Sequence, residues 1–235
     1  MKRTDELGRA FAGSQLQMQV YVNRRSSELS IAIETAIWKN LLPTREILWV
    51  SPLEDKKFAE YRDSRFLEAL QLQQHCTALA SFWPSGGPRW DALGTVQNHS
   101  SRQQHAILLV EAKSYPREVY GNGCDATPAS LQRIEKSLAQ AKQWFNVPLT
   151  TDWIGPLYQS ANRLAHLYFF REVVSVEAWL INLCVLNDPH SPTNAAEWER
   201  GLDRIKHELG FKQRNIPYTV DVFLPARSRG ELVST

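Results

Sequence analysis

Apolar residues recur along the chain with two periods, and the switches between them mark its elements. Leu29, Ile33, Ile37 and Leu41 return every four residues, which predicts an amphipathic helix over 28–42, with Pro43 as a stop. A short apolar run over 46–50 reads as a strand. Ser51, Pro52 and Glu54 have the spacing of a helix start. Serine can cap, proline fits the first turn, and a glutamate three residues after the serine closes a capping box. The helix that follows is placed at 52–73, with Phe58, Tyr61, Phe66, Leu67 and Leu70 on it. Residues 78–83 and 90–96 read as strands on either side of the Pro84-Ser85-Gly86-Gly87-Pro88 turn. A polar hairpin loop over 97–104 leads to 106–110, a continuous apolar run that suits a strand buried on both faces.

Further on, Thr127-Pro128 repeats the cap-plus-proline start for a helix running to 145. Segment 157–171 is helical by pattern, 173–186 is rich in β-formers, 195–209 reads as a helix and 218–224 as a last strand. The glycine- and proline-bearing stretches 115–126 and 148–156 connect them. Residues 1–27 are polar and are expected to be an irregular lead-in. Residues 28–235 are expected to form a single domain, with its core at about 52–186 and a C-terminal helix and strand within 195–224. Three adjacent strands flanked by helices predict an α/β fold with a mixed central sheet.

Composition narrows this little. A chain of 235 residues with 43% hydrophobic content can bury a sizeable core without staples. The formal net charge of +2 neither demands nor excludes a nucleic-acid partner. Cys76, Cys124 and Cys184 are odd in number and far apart, without zinc-ligand spacing, so free thiols in a reducing cytoplasm are expected. The polar residues 1–9 do not read as a secretory signal, and no apolar run is long enough to span a membrane. His75, His99, His105, His166, His190 and His207 show no metal-ligand spacing and are expected to be structural or surface residues.

Candidate chemistry gathers at the end of the most apolar strand. Residues two apart on a strand share a face, so Glu111 and Lys113 project together. Opposite charges at the end of a buried strand are costly unless they pair or bind something. Asp91 lies on the preceding predicted strand, 111 − 91 = 20 residues upstream, where a hairpin can bring it alongside. Two carboxylates with waters make a hard oxygen site of the kind Mg²⁺ prefers. The triplet alone is weak, since Glu54-Asp55-Lys56 repeats it at a predicted helix start. A strand-end ion pair is the plain alternative.

Pro88-Arg89-Trp90-Asp91 with Ile107-Leu108-Leu109-Val110-Glu111-Ala112-Lys113 resembles the PD-(D/E)XK nuclease superfamily over residues 52–186, with the proline three positions before the aspartate rather than next to it. The resemblance implies a restriction-endonuclease-like αβββαβ core. It implies a metal-dependent nuclease in which Asp91 and Glu111 ligate Mg²⁺ or Mn²⁺ and Lys113 stands beside the water. Nucleic acid, DNA before RNA, would be the partner. A further carboxylate is expected from the first core helix, with Glu60 the first choice and Glu68 or Glu34 as alternatives. In 157–171, Gln159, Asn162, Arg163 and His166 form a polar stripe. Gln159 matches a glutamine of the RecB-like members, and Arg163 stands where they have a tyrosine. Gln159 and Arg163 are thus candidate substrate-binding residues. Two rivals remain open: a non-catalytic member of the fold that binds nucleic acid or a protein, and an unrelated α/β interaction domain in which Glu111 and Lys113 only pair.

Overall fold

The computed structural model describes residues 3–38, 45–98, 104–213 and 215–233. Five strands run in the order β1 (Arg45–Ser51), β2 (Ala92–Asn98), β3 (Gln104–Lys113), β4 (Ala178–Leu186) and β5 (Thr219–Pro225). The β1/β2 and β2/β3 pairs are antiparallel, whereas β3/β4 and β4/β5 are parallel. The sheet is therefore mixed and central. Ile107, Leu108, Leu109 and Val110 are fully buried, as a run lacking alternation requires.

Helices cover both faces. On one face Met18, Tyr21, Leu29 and Ile33 from α1 (Gly13–Arg24) and α2 (Ser26–Trp38) pack against Leu108, Val110 and Ile181. On the other, Leu93, Ile107, Leu109 and Leu180 meet α3 (Ser64–Ala69), α4 (Cys76–Phe82), α5 (Pro128–Trp144) and α6 (Tyr158–Tyr168). There α7 (Ala195–Glu208) also presses Trp198 and Leu202 against Cys184. Thr127 caps α5 through Ser130 N–H, and Asn194 with Glu197 closes a capping box on α7. A short α8 (Arg229–Val233) follows β5.

Four expectations are corrected. Residues 13–24 are not an irregular lead-in but the buried helix α1. Its polar look hides Gln17 and Gln19, each 1% exposed, whose amides are satisfied by Arg227 and by Gly8 and Ala10. The helix at 52–73 breaks into a single 3₁₀ turn (Glu54–Lys56), a bend with Lys57 and Phe58 at positive φ, α3 and a second 3₁₀ turn (Gln73–His75). Ser51 belongs to β1 and does not cap. The strand at 78–83 is helix α4, with Leu79 and Phe82 buried and Ala80 and Ser81 exposed, a spacing of three. Its place in the sheet is taken by β1. The strand drawn over 173–186 starts at Ala178, because Phe169–Val173 continues α6 as one π-helical turn. The end of the 28–42 helix past residue 38, and 99–103 of the hairpin loop, lie outside the described residues.

Candidate active site

The antiparallel register pairs Ala92 with Val110, so Asp91 stands directly before β2, opposite Glu111. Its N–H bonds to Val110 O at 3.1 Å, and its Oδ2 accepts from Ala112 N–H at 2.8 Å. Asp91 is delivered there by the 84–88 turn, which Asp63 holds by accepting from Gly86 N–H and Gly87 N–H. Trp90 is buried beside it, and its indole N–H has no acceptor among the described residues.

Glu111 is paired twice. Lys113 Nζ lies 2.7 Å from Oε1, and Arg163 Nη2 lies 2.7 Å from Oε2, with Nε of the same arginine at 2.8 Å. These side chains are between 11% and 18% exposed, so the charges interact with little screening. Burial works against the charge of Glu111, but Arg163 and Lys113 outweigh it and hold its carboxyl below the usual range. For Lys113, burial alone would lower the ammonium; Glu111 and Asp91 outweigh it and hold it above its ordinary value. Asp91 fares differently. Burial, then the charge of Glu111, push its carboxyl well above the ordinary range, against the pull of Lys113 and the Ala112 amide.

Glu60 reaches the site by another route than expected. It lies on the irregular segment before α3, not on a helix, and its Oε1 accepts from Gln15 Nε2 of α1 at 3.1 Å. Burial raises its carboxyl, and the charges of Arg89 and Glu111 act on it. The alternatives fall elsewhere: Glu68 is exposed on α3, and Glu34 of α2 lines a groove beside β1. On α6, Arg163 turns inward to Glu111, and Gln159 lines a cavity that Glu111, Lys113 and Arg163 also line. Asn162 and His166 are not part of an exposed stripe; both are buried.

Several neighbours were not legible from motif spacing. Gln15 sits in the segment read as a lead-in. Glu118 accepts from Ser114 N–H and from Ser14 of α1. Glu111, Asn182 and Asp221 form one row across β3, β4 and β5, and Lys206 of α7 closes on Asp221. The parallel register reveals that row; no local pattern does.

A divalent ion can be tested against these donors. Among the described residues, no group of three or more His, Cys, Asp or Glu side chains is arranged to hold a metal. Mg²⁺, however, is commonly held by one or two carboxylates and completes its shell with water and substrate phosphate. Asp91 facing Glu111 meets that need. Asp91 also carries the mark of a buried carboxylate with an amide but, among the described residues, no side-chain cation in ion-pair contact. The donor set therefore fits such an ion, provided Glu111 gives up one of its present partners.

No family model, curated protein or solved structure matches the chain. Among the described residues, no helix is long and apolar enough to cross a membrane.

Proposed function

We propose that the chain is a metal-dependent phosphodiester hydrolase acting on nucleic acid, DNA or RNA, of the PD-(D/E)XK type. The observation that carries this reading is Asp91 facing Glu111 across the β2/β3 register, with Lys113 on the same face two residues on. Asp91 and Glu111 would hold Mg²⁺ or Mn²⁺, which supplies activation of water and stabilisation of charge on the phosphorus. Lys113 places an ammonium where negative charge develops on the phosphate oxygens. Arg163 offers a planar donor fork of the shape a phosphate accepts, and Gln159, which lines the same cavity, would add a neutral amide contact. Glu60, steadied by Gln15, adds negative charge behind the ligands.

The second reading, a non-catalytic member of the same fold that binds nucleic acid or a protein, is favoured by one observation. Both oxygens of Glu111 are already paired with cations. Incubating the full chain with single- and double-stranded DNA and RNA, with and without Mg²⁺ or Mn²⁺, separates the two. The first reading expects ion-dependent cleavage that Asp91→Ala and Glu111→Ala abolish together with ion binding. It expects Lys113→Ala to keep most ion binding and lose about 10²-fold in rate. An ion that neither binds nor promotes cleavage removes the catalytic reading. Retained nucleic-acid binding would then favour the binding module, and its loss an interaction domain whose charges only pair.

A further inference from the structure

Arg163 spends nearly all its donors inside the protein. Nε and Nη2 both go to Oε2 of Glu111, at 2.8 and 2.7 Å. Nη2 also reaches Arg89 O at 3.2 Å, and Nη1 reaches Gln159 O at 3.4 Å. The guanidinium lies 5.8 Å from the Trp90 ring centroid, on the residue before Asp91. One side chain of α6 thus ties the end of β3 to the turn that delivers Asp91.

We propose that Arg163 is a displaceable stand-in for the divalent ion. It holds Glu111 while no ion is present and leaves that oxygen when an ion takes it, so arginine and ion compete for one carboxylate. This rests on the metal-site reading above. Formal charge supports it. Lys113 and Arg163 already set two positive charges against Glu111, and an ion would add two more beside them. An ion ligated to Glu111 at about 2.0–2.1 Å would share that oxygen with two guanidinium N–H groups, against direct repulsion. Lys113 on Oε1 can stay, since the other oxygen serves the ion.

A released guanidinium has somewhere to go. The cavity alongside it has Glu111, Lys113 and Gln159 in its lining beside apolar side chains such as Leu180 and Trp198. Near those polar groups it can meet a phosphate with two parallel donors. Ion binding would thus turn Arg163 from an internal counter-ion into a contact for the anionic strand, which makes ion and strand favour each other's binding.

The test is titration of the full chain with Mn²⁺ alone, without nucleic acid, followed by calorimetry. Arg163→Gln is expected to bind Mn²⁺ about tenfold tighter than wild type, since it removes a competing charge in contact with a ligand oxygen. Arg163→Lys, with one ammonium in place of the two-donor clamp, is expected to fall between them. It carries the test if the glutamine variant fails to fold. Equal or weaker Mn²⁺ affinity in the folded variants overturns the competition and makes Arg163 a support of the ligand. Failure of Mn²⁺ to bind wild type and variants alike overturns the metal-site reading itself, and this proposal with it.

Discussion

Asp91 and Glu111 face each other, yet their surroundings pull them apart. Two cations pair with Glu111 at 2.7 Å each, while Asp91 has the Ala112 amide. The folded carboxyl of Asp91 lies well above its ordinary value of 3.8, through burial first and the charge of Glu111 second. Between the unfolded and the raised folded value, the native state binds more protons than the unfolded chain. Stability therefore falls as pH rises through that window, and the loss persists at neutral pH. Asp91→Asn removes the charge and keeps an oxygen for Ala112 N–H. It should raise the melting temperature of the ion-free protein at pH 7 by on the order of a few degrees. Added Mn²⁺ should then stabilise wild type and not the variant, because only wild type keeps the ligand. A lower melting temperature for Asp91→Asn would mean that Lys113 already satisfies the charge.

At the scale of elements, the site depends on a turn rather than on a strand alone. Asp63 sits at φ 54 and ψ −141, a positive-φ conformation that side chains avoid, and receives Gly86 N–H and Gly87 N–H at 2.9–3.1 Å. A Cβ at Gly87 would stand 3.3 Å from Asp63 Oδ1 and 3.4 Å from His166 Nε2, so the turn packs closely there. Asp63→Ala should cost about 1–2 kcal/mol, chiefly from the lost hydrogen bonds at a partly exposed site. It should also weaken Mn²⁺ binding, because Trp90 and Asp91 follow that turn. Chemical denaturation with a Mn²⁺ titration checks both, and an unchanged midpoint would show that the turn stands without Asp63.

The same elements show what a sequence can carry. Strand β3 was legible because five consecutive apolar residues, 106–110, admit burial on both faces. The approach of Asp91 to Glu111 was legible because a hairpin must close the chain there. Helix α1 was not legible, since its buried glutamines are satisfied by backbone outside the helix, Gln17 by Arg227 and Gln19 by Gly8 and Ala10. Helix α4 reads as a strand because a short, largely apolar segment such as 78–83 fits either period. The segment 52–73 carried a local helix-start signal that β1 overrode by taking Ser51. Glu60 was therefore the right neighbourhood on the wrong element. Arg163 could be named from its stripe on α6, but its clamp on Glu111 needed the packing of α6 against β3.

At the scale of the whole molecule, His166 sits where α3, α4, α6 and the 84–88 turn converge. It is 1% exposed on α6, and its Nδ1 donates to Asn162 O at 2.8 Å. Its ring is within 6.3 Å, centroid to centroid, of Phe66 on α3, Phe82 on α4, and Trp83 and Trp90 around the turn. Burial pushes it down from 6.5 to about 4; the Asn162 bond opposes this, Arg163 adds to it, and Asp63 is the acidic group opposing it. A histidine held neutral in the fold charges freely once unfolded, so its contribution is complete above the unfolded value and is lost as pH falls through that window. A shift of that size corresponds to roughly 3 kcal/mol at the acid end. His166→Phe keeps an aromatic ring and removes the titration. Its denaturation midpoint should therefore change less than that of wild type between pH 6.5 and 4, although the variant forfeits the bond to Asn162 and starts lower. If both proteins lose stability equally over that range, acid unfolding is driven by the carboxylates, and His166 is protonated without opening the aromatic cluster that carries Asp91.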